Sequence, residues 1–226
     1  NKIIDLFCGC GGLSLGFEMA GFEPVLAVDL WKDAIVTYNH NRNEKVGKCV
    51  DIKDLSDEYL KSLNIDGEIV GVIGGPPCQG YSTVGTRDIN DPRNHLYLQY
   101  CRVVEQVQPK FFVLENVKGL TTLSNGMFRD DIYNRFSKLG YTVSFKVINA
   151  AHYGVPQKRE RVFFVGIKNT EFVFPKGDEK HFVTCKDAIS DLPKLDETNG
   201  SLQQHDYIGE PKTEYQKLMR KKSKKI

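Results

Sequence analysis

The stretch IIDLFCGCGG (residues 3–12) joins a short apolar run to a glycine-rich turn. The apolar half is typical of a buried strand, and the glycines allow a tight turn into the next element. Residues 13–20 then follow a helical pattern that ends before Gly21. A strand that leads through such a turn into a helix is typical of the first unit of a parallel α/β sheet, and it predicts a ligand beside the turn.

The alternation of strand and helix continues beyond this unit. It predicts an α/β, Rossmann-like fold with a mostly parallel seven-stranded sheet and helices on both faces. Ligands of such sheets bind beyond the carboxyl ends of the strands, so functional side chains are expected there. The pattern weakens after about residue 169, where only a short helix at 184–190 is predicted and nothing beyond Pro193 is typical of core. The predicted strands lie at 3–7, 25–28, 45–50, 69–73, 110–114, 142–148 and 161–167, and the predicted helices at 13–20, 32–39, 91–109 and 128–139.

Composition excludes several classes of protein. With 226 residues, 40% of them apolar and 27% charged, the chain resembles a globular domain large enough to bury a core. No apolar run approaches the roughly 18 residues of a membrane span, and no signal-peptide pattern opens the chain, so we expect a cytoplasmic protein. The formal net charge of +2 does not indicate a nucleic-acid partner. Residues 212–226 are strongly basic. This indicates either a solvated terminus or a segment that contacts phosphates.

The six cysteines are too sparse for a disulfide-stapled scaffold. Cys8 and Cys10 lie one residue apart, but no second pair follows at zinc-site spacing, so no metal is expected. The segment GGPPCQG (residues 74–80) places Cys78 directly after a buried strand, on a loop stiffened by two prolines. A thiol on a rigid loop at the ligand edge of a sheet is better placed as a nucleophile than as a core residue.

Acidic residues follow three other predicted strands. Asp29 lies 17 residues after Gly12, where an acid can accept hydrogen bonds from a ribose, and Asp51 could hold an adenine amino group. The alternative is that both acids only cap helices. Glu115 emerges from the apolar run at 110–114, a setting that tends to raise the pKa of a carboxyl group and suits a proton donor.

The segment QKRER (residues 157–161) opens the last predicted strand. Strand alternation would put Arg159 and Arg161 on one face, where two guanidinium groups can hold a phosphate or a base carbonyl. The alternative is a solvated, ion-paired strand edge.

Four segments, in their order and spacing, resemble the bacterial DNA (cytosine-5)-methyltransferases: DLFCGCGG (5–12), GPPCQ (75–79), ENV (115–117) and QKRER (157–161). The resemblance covers residues 2 to about 168. It implies a catalytic domain at 1–168 that uses S-adenosylmethionine and releases S-adenosylhomocysteine. The implied reaction is methyl transfer to carbon 5 of a cytosine flipped out of duplex DNA, in a modification or restriction–modification system.

The resemblance also implies roles for single residues. Cys78 would add to carbon 6 of the cytosine ring, Glu115 would protonate or hydrogen-bond N3, and Arg161 would contact the base and position Glu115. The implied catalytic set is completed by Arg159, Asn116 and Gln79. The implied cofactor-binding residues are Phe7, Gly9, Gly11, Gly12, Asp29, Leu30, Asp51, Ile52, Pro77 and Leu96.

The chain departs from the family pattern in two ways. Asp29 stands where the family usually has glutamate. No target-recognition region and no final cofactor-completing helix follow residue 168, so residues 169–226 are expected to lead toward a missing region, supplied by a longer chain or a second subunit. Two alternatives remain: a tRNA cytosine-5 methyltransferase, and a non-catalytic regulatory partner of the same fold.

Overall fold

The computed structural model describes residues 1–77, 96–122, 126–192 and 210–220. Cys78, Gln79 and the predicted helix start at Asp91 lie outside these residues. The strands are β1 (Lys2–Leu6), β2 (Glu23–Asp29), β3 (Gly47–Cys49), β4 (Ile69–Gly74), β5 (Phe111–Val117), β6 (Tyr141–Asn149) and β7 (Glu160–Lys168). The helices are α1 (Gly12–Met19), α2 (Lys32–His40), α3 (Asp57–Ser62), α4 (Leu96–Val107), α5 (Met127–Lys138), α6 (Cys185–Ile189) and α7 (Glu214–Arg220).

The seven strands form one sheet in the order β3-β2-β1-β4-β5-β7-β6. β1 pairs in parallel with β2 and β4, and parallel pairs also join β2 to β3 and β4 to β5. Only the pairing of β5 with β7, among the registers described, is antiparallel. The predicted mostly parallel α/β sheet is confirmed. The strand order reverses at β1, so the carboxyl ends of β1 and β4 border the crevice where such sheets bind ligands.

Both faces of the sheet are covered, and two neighbouring residues of β5 illustrate how. Phe111 stacks on Phe17 of α1 with ring centroids 6.2 Å apart. Phe112 points to the other face and stacks on Phe136 of α5 at 3.8 Å. Since successive strand side chains alternate between faces, these contacts place α1 and α5 on opposite sides of the sheet.

Several strand ends differ from the prediction by one to three residues, and two of them, at the ends of β1 and β5, lie at the candidate site. Phe7, predicted in the first strand, has a φ of 59°, and this left-handed backbone ends β1 at Leu6. β5 was expected to end at Leu114 but continues to Val117. It continues because antiparallel β7 supplies pairing partners as far as Arg161. The ENV segment (115–117) therefore forms the last three residues of β5 and is not a loop.

The chain divides into two compact units, residues 1–147 with 161–174, and residues 148–160 with 175–226. In the first unit, Phe172 and Phe174 pack against one of the cores, so the weak pattern after residue 169 does not mean an absence of core residues there. These compact units do not test the expected end of the catalytic domain at residue 168, which stays a prediction.

The second unit contains a packed helix pair. Thr184 caps α6 through a capping box with Asp187, as the predicted short helix requires. Gln216 of α7 is fully buried and donates to Ser190 Oγ at 3.0 Å. The expectation that nothing beyond Pro193 is core is wrong for Gln216. Across the described ranges, no helix combines the length and apolar character needed to cross a membrane.

Candidate active site

The turn after β1 presents backbone N–H groups at the start of α1. Phe7, Gly9 and Gly11 all have positive φ angles, of 59°, 52° and 88°. Gly11 is the N-cap residue of α1 and, as a glycine, provides no side-chain cap. The Ser14 amide of the first turn is bound by the Asp5 carboxylate, whereas the N–H groups of Gly12 and Leu13 can donate to a ligand. A helix N-terminus favours polar or anionic atoms.

Asp29 ties this turn to the end of β2. Its Oδ2 accepts a hydrogen bond from the Gly9 amide at 2.9 Å, and its Oδ1 accepts one from the Trp31 amide at 2.9 Å. Each carboxylate oxygen can accept a further bond, so the group braces the turn and can still receive hydroxyl donors. The neighbouring Leu30 side chain is 70% exposed, an apolar surface beside that carboxylate.

Asp51 and Ile52 follow β3. Asp51 Oδ1 accepts from the Lys53 amide at 3.0 Å and caps the short 3₁₀ turn Ile52–Asp54, so the capping alternative does describe part of its role. The Val50 amide donates to the Asp29 carbonyl at 3.2 Å and joins the ends of β2 and β3. The sheet thus brings Asp29 and the residues around Asp51 to one edge.

Two glycines at the end of β4 allow close approach of neighbouring strands. A Cβ atom on Gly74 would lie 2.3 Å from the Leu6 carbonyl oxygen. A Cβ atom on Gly75 would lie 2.9 Å from Oε2 of Glu115. A larger residue at this position would require the Glu115 carboxylate to shift. Pro76 is buried and Pro77 is exposed, immediately before Cys78.

Asn116 connects β5 to the segment that leads to Cys78. The side chain is 3% exposed, and its Nδ2 donates to the Pro76 carbonyl at 2.9 Å. Its Oδ1 accepts from the Val117 amide at 2.8 Å. Both ends of the amide are therefore used, and the backbone two residues before Cys78 is held against the end of β5.

Arg161 and Glu115 form an ion pair across β5 and β7. Arg161 Nε lies 3.0 Å from Glu115 Oε1, and the two side chains are 26% and 24% exposed. The pair arises from the antiparallel register, in which Val117 lies opposite Arg161 and Glu115 opposite Phe163. Diagonal neighbours of this kind lie on the same face of a sheet. The structure thus brings together Glu115 and Arg161, which the sequence placed in separate segments.

Other predicted site residues lie elsewhere or are not described. Arg159 precedes β7, which begins at Glu160, so the expected strand alternation with Arg161 does not apply to it. Its backbone amide donates to Asn149 Oδ1 at 3.2 Å. Leu96 is partly buried and packs against the main core at the beginning of the described part of α4. Cys78 and Gln79 fall outside the described residues.

The described cysteines divide into buried and exposed thiols. Burial raises the pKa of Cys101 to about 12 and that of Cys8 further. Both groups therefore stay protonated thiols and are poor nucleophiles at neutral pH. Cys10, Cys49 and Cys185 are exposed.

Sequence reasoning missed a buried polar network behind the glycine turn. Asp5 of β1 is 1% exposed, and its Oδ2 accepts from Ser14 Oγ of α1 at 2.6 Å. Ser14 Oγ also hydrogen-bonds Tyr38 Oη of α2 at 2.9 Å. An acid inside an apolar strand was the available signal, but its partners come from two later helices. Desolvation raises the pKa of Asp5 to about 7 and that of Tyr38 to about 12.

Comparison with known proteins gives a consistent result. The family model for C-5 cytosine-specific DNA methylases matches residues 1–226. The chain is 41% identical over 234 residues to the type II methyltransferase M.DdeI of Desulfomicrobium norvegicum, covering 98% of this chain and 55% of that protein. It is 44% identical over 203 residues to the type II methyltransferase M1.HphI of Haemophilus parahaemolyticus, covering 88% of this chain and 55% of that protein.

A solved structure extends the likeness to three dimensions. A protein described as a DNA modification methyltransferase encoded within an E. coli prophage superposes with a TM-score of 0.82 at 33% identity, over 96% of this chain and 63% of that one. The chain spans about half the length of the curated relatives it matches.

Proposed function

This chain belongs to the C-5 cytosine-specific DNA methylase family, and from that premise we propose that the protein transfers a methyl group from S-adenosylmethionine to carbon 5 of cytosine in duplex DNA. The relatives named above are type II methyltransferases, which supports a place in a restriction–modification system. A cytoplasmic location is part of the proposal. The target cytosine has to leave the base stack, because its ring is not accessible inside a duplex.

One observation carries the proposal: the arrangement at the ends of β4, β5 and β7. Asn116 holds the Pro76 carbonyl, two residues before Cys78, and Arg161 holds the Glu115 carboxylate at 3.0 Å. Gly75 leaves space for that carboxylate beside the same segment. Cys78 follows this segment in the sequence, and we propose that its thiol attacks the ring while Glu115, at the end of β5, stabilises the product of that attack.

The proposed chemistry assigns one task to each side chain. The Cys78 thiolate forms a bond to carbon 6 of the flipped cytosine, and Glu115 provides a hydrogen bond or a proton at N3, so negative charge does not accumulate on the ring. Carbon 5 thereby becomes nucleophilic. S-adenosylmethionine supplies the methyl group from its sulfonium when bound. Transfer of the carbon 5 proton to water, return of any N3 proton to Glu115 and release of Cys78 from carbon 6 then regenerate the thiolate and the aromatic ring.

The cofactor-binding part of the proposal rests on the turns after β1, β2 and β3. The start of α1, where Gly11 provides no side-chain cap, and the two Asp29 oxygens suit a ligand with polar and hydroxyl groups. Asp29 would accept from the ribose, and Asp51 from the adenine amino group. Apolar contact is proposed for Phe7, Leu30, Ile52, Pro77 and Leu96.

Duplex DNA is the proposed partner, and recognition of a particular DNA sequence is assigned to a region beyond the residues that resemble the catalytic domain. A C-terminal segment or second subunit would supply that region. Arg159 and Gln79 stay in the proposed catalytic set on the strength of the family resemblance alone.

Cys78 is tested with duplex DNA that contains 5-fluorocytosine. Fluorine at carbon 5 prevents proton loss, so the covalent enzyme–DNA adduct accumulates when S-adenosylmethionine is present. We expect an adduct with the unaltered protein and with the control Cys185→Ser, whose cysteine is exposed on α6. We expect none with Cys78→Ser, measured by denaturing gel electrophoresis. An adduct that survives Cys78→Ser would contradict the assignment.

The substrate is tested by transfer of a labelled methyl group to unmethylated duplex DNA and, in parallel, to tRNA, followed by digestion to nucleosides. Labelled 5-methylcytosine from DNA supports the proposal. Label found only in tRNA would favour the tRNA methyltransferase instead. Cofactor binding without transfer to either substrate, even with the C-terminal region of a relative added, would favour a regulatory partner.

A further inference from the structure

Arg42 follows α2 in the sequence, but its side chain reaches both ends of α1. Arg42 Nη2 donates to the Gly11 carbonyl at 2.9 Å, at the N-cap of the helix. Arg42 Nε donates to Glu18 Oε1 at 2.7 Å, one residue before the last residue of the helix. A planar guanidinium is suited to this double contact because its donors are fixed in direction. One side chain therefore fixes α1 at its beginning and near its end.

The guanidinium is itself held in place. It lies over the ring of Tyr38, 3.8 Å from the centroid, and Arg42 Nη1 donates to the Tyr38 carbonyl at 3.3 Å. Tyr38 is fully buried, and its hydroxyl is hydrogen-bonded to Ser14 of α1. The Arg42 side chain is only 10% exposed. Its position is thus determined by contacts to two helices and not by solvent.

Packing at Gly11 shows how closely Arg42 approaches the turn. A Cβ atom on Gly11 would lie 2.5 Å from Arg42 Nη1 and 2.6 Å from Tyr38 Cδ2. The turn is consequently held from two sides: the Gly9 amide by the Asp29 carboxylate, and the Gly11 carbonyl by the Arg42 guanidinium. These two contacts set the direction in which the N–H groups of the first turn of α1 point.

We propose that Arg42 is a positioning residue for the cofactor-binding turn, acting through the Gly11 carbonyl and Glu18 without touching the cofactor. This inference rests on the proposed function, because it assigns the turn to S-adenosylmethionine. Arg42 would increase affinity for the cofactor and leave the chemical step on cytosine unchanged. If Arg42 served only overall stability, its substitution would lower the free energy of unfolding without changing the affinity of the folded protein for the cofactor.

The test compares Arg42→Met, Arg42→Lys and a matched control, Arg135→Met. Arg135 makes a 2.7 Å contact to Asp131 within α5, the same length as the Arg42–Glu18 contact. The dissociation constant of S-adenosylhomocysteine is measured by calorimetry at a temperature where each variant is folded. We expect Arg42→Met to weaken binding about tenfold, the effect of losing a charge-assisted hydrogen bond. We expect Arg42→Lys to weaken it as well, because one ammonium group cannot hold both Gly11 and Glu18.

The expected kinetic signature is a raised KM for S-adenosylmethionine with kcat within about twofold of the unaltered protein, as for loss of uniform binding. Arg135→Met should change neither constant. Unchanged affinity in a folded Arg42→Lys or Arg42→Met would overturn the inference and leave the proposed function intact. Failure of the unaltered protein to bind S-adenosylhomocysteine would instead overturn the proposed function, so the two failures are distinguishable.

Discussion

Asp5 buries a carboxyl group within an apolar strand. Desolvation is the largest cause of its raised pKa of about 7, against an ordinary value of 3.8, while the bond from Ser14 and the charge of Arg42 act in the opposite direction. Its Oδ1 has no hydrogen-bond partner among the described residues. The folded protein therefore holds a proton that the unfolded chain releases near pH 4. This contribution to stability is complete below about pH 4 and is lost as the pH rises through about 7.

Substitution Asp5→Asn should remove this pH dependence, because an amide does not ionise. From pH 5 to pH 8 the unaltered protein should lose about 2–3 kcal/mol of its free energy of unfolding that the variant keeps. This follows from about 1.4 kcal/mol per pKa unit. Urea unfolding of both proteins at both pH values measures this difference in the free energy of unfolding. Asp33→Asn, an exposed acid on α2, is the control. Parallel pH profiles for Asp5→Asn and the unaltered protein would contradict the expectation.

Gly75 determines where the Glu115 carboxylate lies, since an added Cβ would stand 2.9 Å from its Oε2. Gly75→Ala should displace that carboxylate and lower kcat for the proposed methyl transfer by about 10- to 100-fold, as for a catalytic group misplaced by about 1 Å. Affinity for S-adenosylhomocysteine should stay within about twofold, because the cofactor turns are untouched. Gly16→Ala is the matched control, since its Cβ would meet no atom within 4 Å. An unchanged kcat for Gly75→Ala would rule out the steric argument.

At the scale of elements, α4 connects the centre of the sheet to the turn after β3. Tyr100 Oη lies within hydrogen-bond distance of two carbonyls, 3.0 Å from that of Val72 in β4 and 2.9 Å from that of Val113 in β5. Two residues further along, Arg102 donates to the carbonyls of Ile52 and Leu55, both at 2.7 Å. The helix therefore fixes the relative position of two strands that lead to the catalytic residues and of the turn that carries Asp51.

Arg102→Met should leave the carbonyls of Ile52 and Leu55 without their charged donor. We expect the free energy of unfolding to fall by about 1.5–3 kcal/mol, the range for hydrogen bonds to charged groups. Cofactor affinity should fall at the same time, because Ile52 and the adjacent Asp51 belong to the proposed adenine end of the site. Urea unfolding and titration with S-adenosylhomocysteine measure the two effects. Arg135→Met removes an exposed ion pair and should lower the free energy of unfolding by less than about 1 kcal/mol. An equal loss of stability in both variants would refute a special role for Arg102.

At the scale of the whole molecule, the candidate site belongs to one of the two compact units. Residues 1–147 and 161–174 contain the cofactor turns, Glu115 and Arg161. The other unit contains Arg159 and the α6–α7 pair, in which Gln216 is buried. The relatives extend well beyond the matched region, since the chain covers 55% of their length. Recognition of a DNA sequence is therefore proposed for residues outside those that build the catalytic edge.

Local patterns in the sequence determined the order of the strands and the segments that carry chemistry, whereas α3 and α7 were not predicted. Apolar runs of strand length and glycine-rich turns are properties of neighbouring residues, so the parallel sheet and the turn at Gly9–Gly12 were predictable. Strand ends were less predictable, because β5 continues to Val117 only through pairing with β7, whose residues lie more than forty positions later. Cys78 was identified from its segment and stays a prediction.

Only the tertiary structure decided which side chains meet. The contact of Asn116 with Pro76 spans 40 residues of sequence, and that of Arg42 with Gly11 spans 31. No periodicity encodes such contacts, because they depend on strand order and on the packing of helices against the sheet. The residues of the site are thus recognisable one segment at a time, whereas their support, from Asp5 and Arg42 to Arg102, follows from the fold.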